Sequence, residues 1–558
     1  MAYPSFEQYN NAFSAHQHLL ADLELKKGTV AKTGLGTPRA ISGGFALTYT
    51  MTAGQNKYAV RCFHRESKAL ERRYQAIAKR LAQLNSPYFL KFDFQPKGIS
   101  VDGQAYPVVK MAWAQGVTLG EFLEDNHGRR GALASLPASL LALSSFLERE
   151  HIAHGDMAPG NIMVSGTAGA IQLIDYDGMF VEDIRDLGNS ELGNLNFQHP
   201  ERAAKNPFGP TMDRFSLIAL SLALKGLNED ATLWDKTKSE VDAIVFRASD
   251  FIDPTASSVF AELMRNPALV KHAQNFAAVC RAPIEKTPSL EDFLVGRNIP
   301  ASTIQITTSA QDDRPKLGYM GVYNVLDANN YALCLGRVGD KVEVIGRIVE
   351  VKLDKARNGQ SYIFINFGPW QGHIFKIAIW SEGVAAIPQK PDTSWVGKWV
   401  SVIGLMEPPY TSNRFKYSHL SISVTTNGQM TIISETEAKF RMTPFSAKSI
   451  QVRPSNREAL DKLKQYPTTS PITQISQTQG ASASRNKDIL DSLRKAQGGA
   501  QSLPIQIPAM PPRPQQSPQA PRPQQRPEPP RQQQSPQPPS QKPPEQSLVG
   551  KFFGWLFT

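Results

Sequence analysis

The chain has 558 residues, which exceeds what one hydrophobic core normally supports, so two or more domains are expected. Hydrophobic residues make up 41% of the sequence and charged residues 20%, a composition typical of a globular protein. The formal net charge of +11 permits contact with nucleic acid, acidic proteins or anionic lipid, and selects none of them.

The cysteine content and the absence of long apolar runs bear on where the protein works. Cys62, Cys280 and Cys334 lie far apart and lack metal-ligand spacing, which argues against a disulfide framework or a zinc site. The first residues lack the basic and apolar regions of a signal peptide. No apolar run approaches the roughly 20 residues that span a bilayer. We therefore expect a cytoplasmic protein without a transmembrane segment.

Composition divides the chain into six segments, and their mixed helix and strand patterns predict a multidomain α+β protein. The Pro- and Gln-rich segment cannot bury enough apolar surface to offset its ordering entropy, so it is predicted to be disordered. The segments are a mostly helical extension (1–33), a first domain (34–299), a polar linker (300–317), a strand-rich domain (318–442), the disordered segment (443–546) and an apolar end (547–558).

The run from His151 to Val164 contains residues that suit phosphoryl transfer. It reads His154-Gly155-Asp156 and reaches Asn161, and an apolar strand further on ends at Asp175. Phosphoryl transfer needs Mg²⁺ on the phosphates, a carboxylate to orient the attacking hydroxyl, and a cation on the phosphates that are not transferred. Asp156 would orient or accept the hydroxyl proton, whereas Asn161 and Asp175 would hold the metal ion.

These motifs resemble the catalytic loop H-R-D-x-x-x-x-N and the metal loop D-F-G of the protein-kinase superfamily. The resemblance covers residues 34–297 and implies a bilobal kinase-like fold that uses ATP and Mg²⁺. Other kinase-like features follow in the expected order, namely Lys57–Arg61, the amphipathic segment 67–84, Tyr106–Met111, His199–Glu201 and Asp213–Leu217.

The resemblance assigns a role to each candidate residue. Asp156 is the catalytic carboxylate, and Asn161 and Asp175 are the Mg²⁺ ligands. The residues assigned to ATP lie in the glycine loop, its neighbouring strand, the following helix and the hinge, and are Gly43, Gly44, Arg61, Glu71 and Met111.

Two of these roles could be filled by another residue, and two further residues fit a structural role. Glu66 competes with Glu71 as the ion-pair partner of Arg61. Asp177 competes with Asp175, which we favour because it ends the apolar strand. Two further residues fit packing or bracing better than chemistry, and these are His154 and Asp213.

Three departures from the kinase pattern raise the alternative of a pseudokinase scaffold. Only Gly43 matches a glycine of the loop motif, with Ile41 and Ala46 at the other two positions. Arg61 stands where kinases carry a lysine, and its forked guanidinium is not equivalent to an ammonium group. Gly155 replaces the arginine that reads a phosphorylated activation loop, so activation through that arginine is not expected.

The strand-rich domain resembles an OB-fold, a small barrel of five strands. The predicted strands cover 342–352, 361–367, 373–380, 398–406 and 420–424, with a helical insert before the fourth. OB-folds often bind single-stranded nucleic acid on aromatic side chains, although aromatics at strand spacing more often fill the core. The candidate aromatics are Tyr362, Phe364, Phe367, Trp370, Phe375 and Trp380.

The apolar end, residues 547–558, is too short to span a membrane. At the end of a disordered tether it is typical of a peptide that docks in a groove of a protein partner. Attachment to a membrane surface is the alternative, and the single Lys551 gives it little electrostatic support.

The sequence as a whole favours a bacterial-type serine/threonine protein kinase that uses ATP and Mg²⁺ and recruits a protein partner. A pseudokinase scaffold, a small-molecule kinase with an HGD-type loop and a nucleic-acid-binding adaptor are the alternatives. The bacterial attribution and the kinase type follow from the resemblance, and the substrate stays open.

Overall fold

The computed structural model describes residues 3–33, 36–42, 46–64, 69–166, 169–301, 318–356, 359–412 and 416–443. The predictions for Gly43, Gly44 and Glu66 lie outside this range, as do those for most of the 300–317 linker. The same holds for the chain from residue 444 onward, which includes the disordered segment and the apolar end.

The first part of the chain forms a six-stranded sheet, which we call the sheet lobe (residues 3–112). All its strand pairs are antiparallel, in the order β1-β3-β4-β6-β5 with β2 on the side of β3. The strands are β1 Thr29–Val30, β2 Ala40–Ser42, β3 Ala46–Ala53, β4 Asn56–Phe63, β5 Phe92–Val101 and β6 Gln104–Ala112.

Helices cover both faces of this sheet, which is why β3 is buried along almost its whole length. Three N-terminal helices pack on one face, where Tyr9 and Phe13 join Tyr49 and Met51 in a buried cluster. These helices are α1 Phe6–Ser14, α2 His16–Leu19 and α3 Leu23–Lys26. The predicted N-terminal helices are therefore present, but they share a core with the sheet, and β1 pairs with β3 across the predicted boundary at residue 33.

Helix α4 (Leu70–Leu84) packs on the other face, within the predicted amphipathic segment. Leu70, Tyr74, Ile77 and Leu81 recur at helical spacing and are all buried. The helix ends at Asn85, which adopts the left-handed conformation with φ +41° and thereby terminates the helical hydrogen bonds.

The next part is mostly helical, and we call it the helical lobe (residues 117–299). Helix α8 is its central element and is buried along nearly its whole length, from Phe215 to Leu227. A short sheet, β7 Val117–Thr118, β8 Ile162–Ser165 and β9 Ala170–Leu173, carries the predicted catalytic loop. The helices are α5 Leu119–Asn126, α6 Leu136–Arg149, α7 Arg202–Lys205, α8 Arg214–Glu229, α9 Leu233–Lys236, α10 Ala248–Ile252, α11 Ser258–Met264, α12 Val270–Arg281 and α13 Leu290–Val295.

The strand-rich region has two sheets around a core of its own, and we call it the second domain (the described residues from 318 to 443). One sheet has the order β10-β11-β15-β18 and the other β12-β13-β14-β17-β16. The strands are β10 Asn324–Asp327, β11 Lys341–Arg347, β12 Glu350–Lys355, β13 Ser361–Asn366, β14 Gly372–Ile379, β15 Trp399–Leu405, β16 Tyr410–Ser412, β17 Tyr417–Ser423 and β18 Met430–Ile433.

Three helices complete the second domain, namely α14 Tyr331–Leu335, α15 Ser381–Ala386 and α16 Glu435–Met442. The predicted strands and the helical insert are present, except that the run expected as one strand breaks at Ile348 into β11 and β12. Val344, Ile365, Phe375 and Ile422 from both sheets meet in the core. A closed OB barrel stays a prediction.

No helix in the described part of the chain is long and apolar enough to span a lipid bilayer.

Candidate active site

The loop that carries Asp156 is fixed from below by a buried carboxylate. Asp213, at the start of α8, accepts hydrogen bonds from the backbone N–H groups of His154 and Gly155, the second at 2.8 Å. His154 is fully buried, and its Nε2 lies 2.8 Å from the carbonyl oxygen of Ile174. Both residues therefore brace the loop, as the sequence suggested.

Glycine is required at position 155 because of its conformation and its surroundings. Gly155 has φ +87°, and a Cβ atom there would lie 2.2 Å from the carbonyl oxygen of Gly178. No L-amino acid with a side chain fits that space without moving the backbone. The loss of the usual arginine is thus tied to a close approach between two loops.

Asp156 is buried and its carboxylate is oriented by two neighbours. Asn161 Nδ2 donates to Asp156 Oδ2 at 2.9 Å and to its carbonyl oxygen at 3.0 Å. The backbone N–H of Asn194 donates to Asp156 Oδ1 at 2.7 Å. Residues 193–194 therefore lie directly over the carboxylate, and Gly193 makes this possible because a Cβ there would be 2.7 Å from Asp156 Oδ1.

Arg61 lies fully buried in β4 and bridges two carboxylates. Its Nη1 is 2.6 Å from Asp175 Oδ1 and its Nη2 is 2.6 Å from Asp177 Oδ2. Burial alone would lower the pKa of Arg61, but Asp175 and Asp177 raise it well above its usual range. The planar guanidinium donates to each acid from a different nitrogen, a fixed geometry that an ammonium group does not have.

Asp175 has the features of a functional residue in a strained position. Its φ of +61° is uncommon for a residue with a side chain. Burial and the neighbouring Asp177 raise the pKa of Asp175 to about 6, against the opposing effect of Arg61. A carboxyl group held in this way is poised to bind a further cation.

The two candidate metal carboxylates differ in how far their oxygens are used. Asp177 accepts from Arg61 at one oxygen and from the Tyr74 hydroxyl at the other. Asp175 accepts from Arg61 at Oδ1, and no described residue donates to its Oδ2. One oxygen of Asp175 therefore accepts from no described residue, whereas both oxygens of Asp177 accept hydrogen bonds, and the choice of Asp175 as a metal ligand stays a prediction.

A further acid, Glu191, joins the cluster from the segment after Gly178. Burial and the charges of Asp175, Asp156 and Asp177 raise the pKa of Glu191 well above its usual range. Several carboxyl groups therefore lie near Arg61, and the pKa values of two of them, Asp175 and Glu191, are raised.

The donor atoms suit Mg²⁺, although they do not by themselves enclose an ion. In the described part of the chain no group of three or more His, Cys, Asp or Glu side chains is arranged to hold a metal. Asp175 and Asn161 supply oxygen donors, and Mg²⁺ at phosphate sites commonly takes only one or two carboxylates besides phosphate and water. The residues present therefore fit a metal that arrives with a phosphate ligand.

The residues predicted to bind ATP are not all brought to this site. Glu71 lies on the exposed side of α4, where it accepts a hydrogen bond from Gln75 at 3.0 Å. The predicted Arg61–Glu71 ion pair is thus wrong, because Arg61 points to Asp175 and Asp177 instead. Met111 is buried in β6, opposite Ala59 of β4. The roles of the remaining residues stay predictions.

Sequence reasoning missed residues that reach the site only through the fold. Tyr74 comes from α4, Glu191 and Asn194 come from the segment after Gly178, and Asp242 comes from a loop of the helical lobe. The segment from 182 to 198 has no periodic pattern, so nothing in it signals proximity to Asp156. Only Tyr74 carried a signal, since it lies on the buried face of the predicted amphipathic helix.

Comparisons with known proteins give weak similarity to kinase structures. No protein-family profile matches the chain, and no curated protein is similar at a significant level. The kinase domain of Mycobacterium tuberculosis PknI is a similar solved structure, with a TM-score of 0.32 and 16% identity over 48% of this chain and 94% of that one. A double mutant of that domain gives a TM-score of 0.31 at 15% identity over 49% of this chain and 95% of that one.

Proposed function

We propose that the first domain is a phosphotransferase of the protein-kinase type that uses ATP and Mg²⁺. The observation that carries the proposal is that Asp156, Asn161 and Asp175 meet at one site. Asn161 donates to Asp156, and the carbonyl oxygen of Asn161 accepts from the backbone N–H of Ile174, next to Asp175. Asp156 supplies a carboxylate to orient the acceptor hydroxyl, and Asn161 and Asp175 supply oxygen ligands for the metal, which are two of the functions that phosphoryl transfer requires.

In this proposal Asp156 orients the acceptor hydroxyl and takes its proton as the new P–O bond forms. The bond from the γ-phosphorus to the bridging oxygen breaks, and ADP leaves. Asp175 and Asn161 would hold the metal, which when bound neutralises charge on the phosphates. The buried Asp213 keeps the loop rigid, so that Asp156 stays in position through the reaction.

Arg61 decides between an active enzyme and a pseudokinase scaffold. In an active kinase-like site a cation from this strand pairs with phosphates, whereas here Arg61 contacts two carboxylates at 2.6 Å. When a nucleotide binds, its phosphate oxygens would replace the Asp175 carboxylate as a partner of the Arg61 guanidinium. Asp175 would then bind the metal. A scaffold would keep the Arg61 bridge in the presence of ATP and transfer nothing.

The experiment is transfer of labelled phosphate from ATP, with Mg²⁺, to the protein itself and to a panel of protein acceptors. We expect transfer by the native chain and its loss in Asp156→Asn and Asp175→Asn. Asp235→Asn is the matched control, because Asp235 is an exposed aspartate away from the site. Nucleotide-dependent stabilisation without transfer would support the scaffold. If ATP neither stabilises the chain nor donates phosphate, the proposal of a nucleotide site is rejected.

A second candidate function, nucleic-acid binding, is favoured by an exposed aromatic surface on the second domain, which we propose to be OB-like. Phe367 and Phe375 fill the core, whereas Tyr362, Phe364 and Trp380 are partly exposed. The rings of these three lie 4.5 to 5.7 Å apart, and the Lys376 ammonium lies 4.0 Å from the centre of the Phe364 ring. Aromatic rings beside lysines suit stacked bases and a phosphate backbone.

This second function is tested by titrating the full chain with a labelled single-stranded oligonucleotide at low and raised salt. We expect affinity to fall with salt and to fall again, about 5-fold or more, in Phe364→Ala with Trp380→Ala. Leu333→Ala, another exposed apolar residue of the domain, is the control. Binding that is equal in the aromatic variant and the control would rule out this surface.

The tail completes the proposal as a recruitment device. We propose that residues 547–558 dock on a protein partner, with residues 443–546 as a disordered tether. Deletion of 547–558 should then reduce binding of a partner without changing nucleotide-dependent stabilisation.

A further inference from the structure

We propose that the second domain is a gate on the acceptor side of the catalytic cleft, and that its contact with the helical lobe controls access of an external protein to Asp156. This inference rests on the proposed phosphotransferase function and adds regulation of the same site.

A chain of hydrogen bonds runs from Asp156 to the second domain. Asn194 donates from its backbone to Asp156 Oδ1 at 2.7 Å, and from its side chain to the carbonyl oxygen of Asp242 at 3.3 Å. Asn196 Nδ2 donates to the same carbonyl at 3.1 Å. Asp242 Oδ2 accepts from the hydroxyl of Tyr323, in the second domain, at 3.2 Å. The segment that covers Asp156 is therefore fastened to a loop that the second domain holds.

The second domain also places a cation beside this network. The Lys341 ammonium lies 4.7 Å from the centre of the Tyr323 ring. Burial lowers the pKa of Lys341, against the opposing charges of Asp242, Glu121 and Asp156. The Lys341 amine thus lies within electrostatic range of the candidate catalytic carboxylate.

The contact is anchored on the helical lobe by charged and close-packed residues. Arg441 of α16 is buried and joins Glu240 of the helical lobe to Glu343 and Glu437 of its own domain. Lys238 Nζ lies 3.2 Å from Glu437. Gly428 approaches so closely that a Cβ there would be 2.4 Å from Val241 Cγ1.

The second domain contacts the sheet lobe as well. Arg39, just before β2, forms an ion pair with Glu382 of α15, and Leu405 packs against the apolar cluster of the sheet lobe. One domain therefore holds both lobes of the first. A protein acceptor needs the space over Asp156, so the fastened segment 191–194 and Tyr323 must move before such an acceptor can bind.

A reversible disulfide tests the gate in the full chain. Val241→Cys with Gly428→Cys places two cysteines where the loops touch, since a Cβ at position 428 would lie 2.4 Å from Val241 Cγ1, and a disulfide needs a Cβ···Cβ distance of about 3.5–4.5 Å. The native cysteines Cys62, Cys280 and Cys334 are buried, so mild oxidation spares them. We expect the oxidised variant to transfer phosphate to an external protein at least about 10-fold more slowly than its reduced form. Each single cysteine variant is the control and should not respond to oxidation.

Equal transfer by the oxidised and reduced double variant would overturn the gate. Stabilisation by ATP with Mg²⁺ is measured on the same samples and reports the nucleotide site independently. If no form transfers, the proposed phosphotransfer has failed, and hydrogen exchange decides the gate alone.

The exchange experiment compares the native chain with Tyr323→Phe, which removes only the hydroxyl that holds Asp242. We expect faster amide exchange in the peptide that contains Asn194, with unchanged exchange in α12 as the internal control. Unchanged exchange at Asn194 would mean that the second domain does not hold the segment over Asp156, and would contradict the proposal.

Discussion

Two buried arginines, Arg61 and Arg441, each bridge several carboxylates, and the comparison separates a reactive site from a structural one. At Arg441 the ion pairs prevail, since the pKa values of Glu240 and Glu437 fall below their usual range although burial opposes this. At Arg61 burial prevails, and the pKa of Asp175 rises to about 6. The first cluster is electrostatically satisfied and holds two domains together. The second retains unrelieved negative charge, which a phosphate-bound cation could relieve.

The largest expected effect comes from removing Arg441. Arg441→Met leaves the buried Glu343 without its cation and the partly buried Glu240 with Arg247 alone, and breaking such a cluster typically costs about 3–5 kcal/mol. Urea denaturation of the full chain measures the loss in the free energy of unfolding. Lys439→Met is the matched control, since its pair with Glu435 is exposed and its loss should leave stability unchanged. A loss no larger than the control's would mean that Arg441 does not hold the domains together.

Removing Arg61 should destabilise the chain in a pH-dependent way. In Arg61→Met, Asp175 and Asp177 face each other without a cation. When the pKa of a carboxyl group is raised in the folded protein, the folded state binds the proton more tightly than the unfolded state. The stability that this proton contributes is complete at low pH and is lost as pH rises through the raised pKa. We therefore expect a smaller loss of stability at about pH 5.5 than at about pH 7.5. An equal loss of stability at both pH values would contradict the claim that Arg61 offsets the charges of Asp175 and Asp177.

The backbone at Gly155 should not tolerate a side chain. Gly155→Ala adds a Cβ 2.2 Å from the carbonyl of Gly178 at φ +87°, so we expect a loss of about 2–4 kcal/mol. Gly131→Ala is the control, because Gly131 has φ +79° but nothing within 4 Å of its Cβ position, and strain alone costs about 1 kcal/mol. Thermal or urea unfolding distinguishes the two. Similar losses would mean that the loops can separate.

The smallest effect concerns the border between α5 and the second domain. Burial and then Asp125 raise the pKa of Glu124 to about 7, with Glu240 adding to the rise and Asn427 of the second domain opposing it. The protonated Glu124 carboxyl contributes its full stability at pH values below the pKa that Glu124 has in the unfolded chain. This contribution is lost as pH rises toward 7. Glu124→Gln should therefore gain stability relative to the native chain at about pH 8 by on the order of 1 kcal/mol, and not at about pH 5. Unfolding curves at both pH values check this, and a gain at low pH would contradict it.

The sequence predicted much of the local structure, but not the partners of Arg61, and the roles of the phosphotransfer residues stay predictions. Periodicity found α4 and most strands of the second domain, because alternating burial is written directly into the residues. Family resemblance located Asp156, Asn161 and Asp175. The pairing of Arg61 with two aspartates instead of Glu71 depends on the relative placement of β4, α4 and the loop after β9, which no local pattern encodes. The contact of Tyr323 with Asp242 is likewise a property of the assembled domains.

The most direct test of the central claim is thermal stabilisation by ATP, with and without Mg²⁺, in Asp175→Asn and Asp177→Asn. Asp175 has an oxygen to which no described residue donates, whereas both oxygens of Asp177 accept from Arg61 and Tyr74. If Asp175 is the metal ligand, Mg²⁺ should strengthen stabilisation by ATP in the native chain and in Asp177→Asn, and this effect should be lost in Asp175→Asn. Loss in Asp177→Asn alone, or no stabilisation of the native chain, would contradict it.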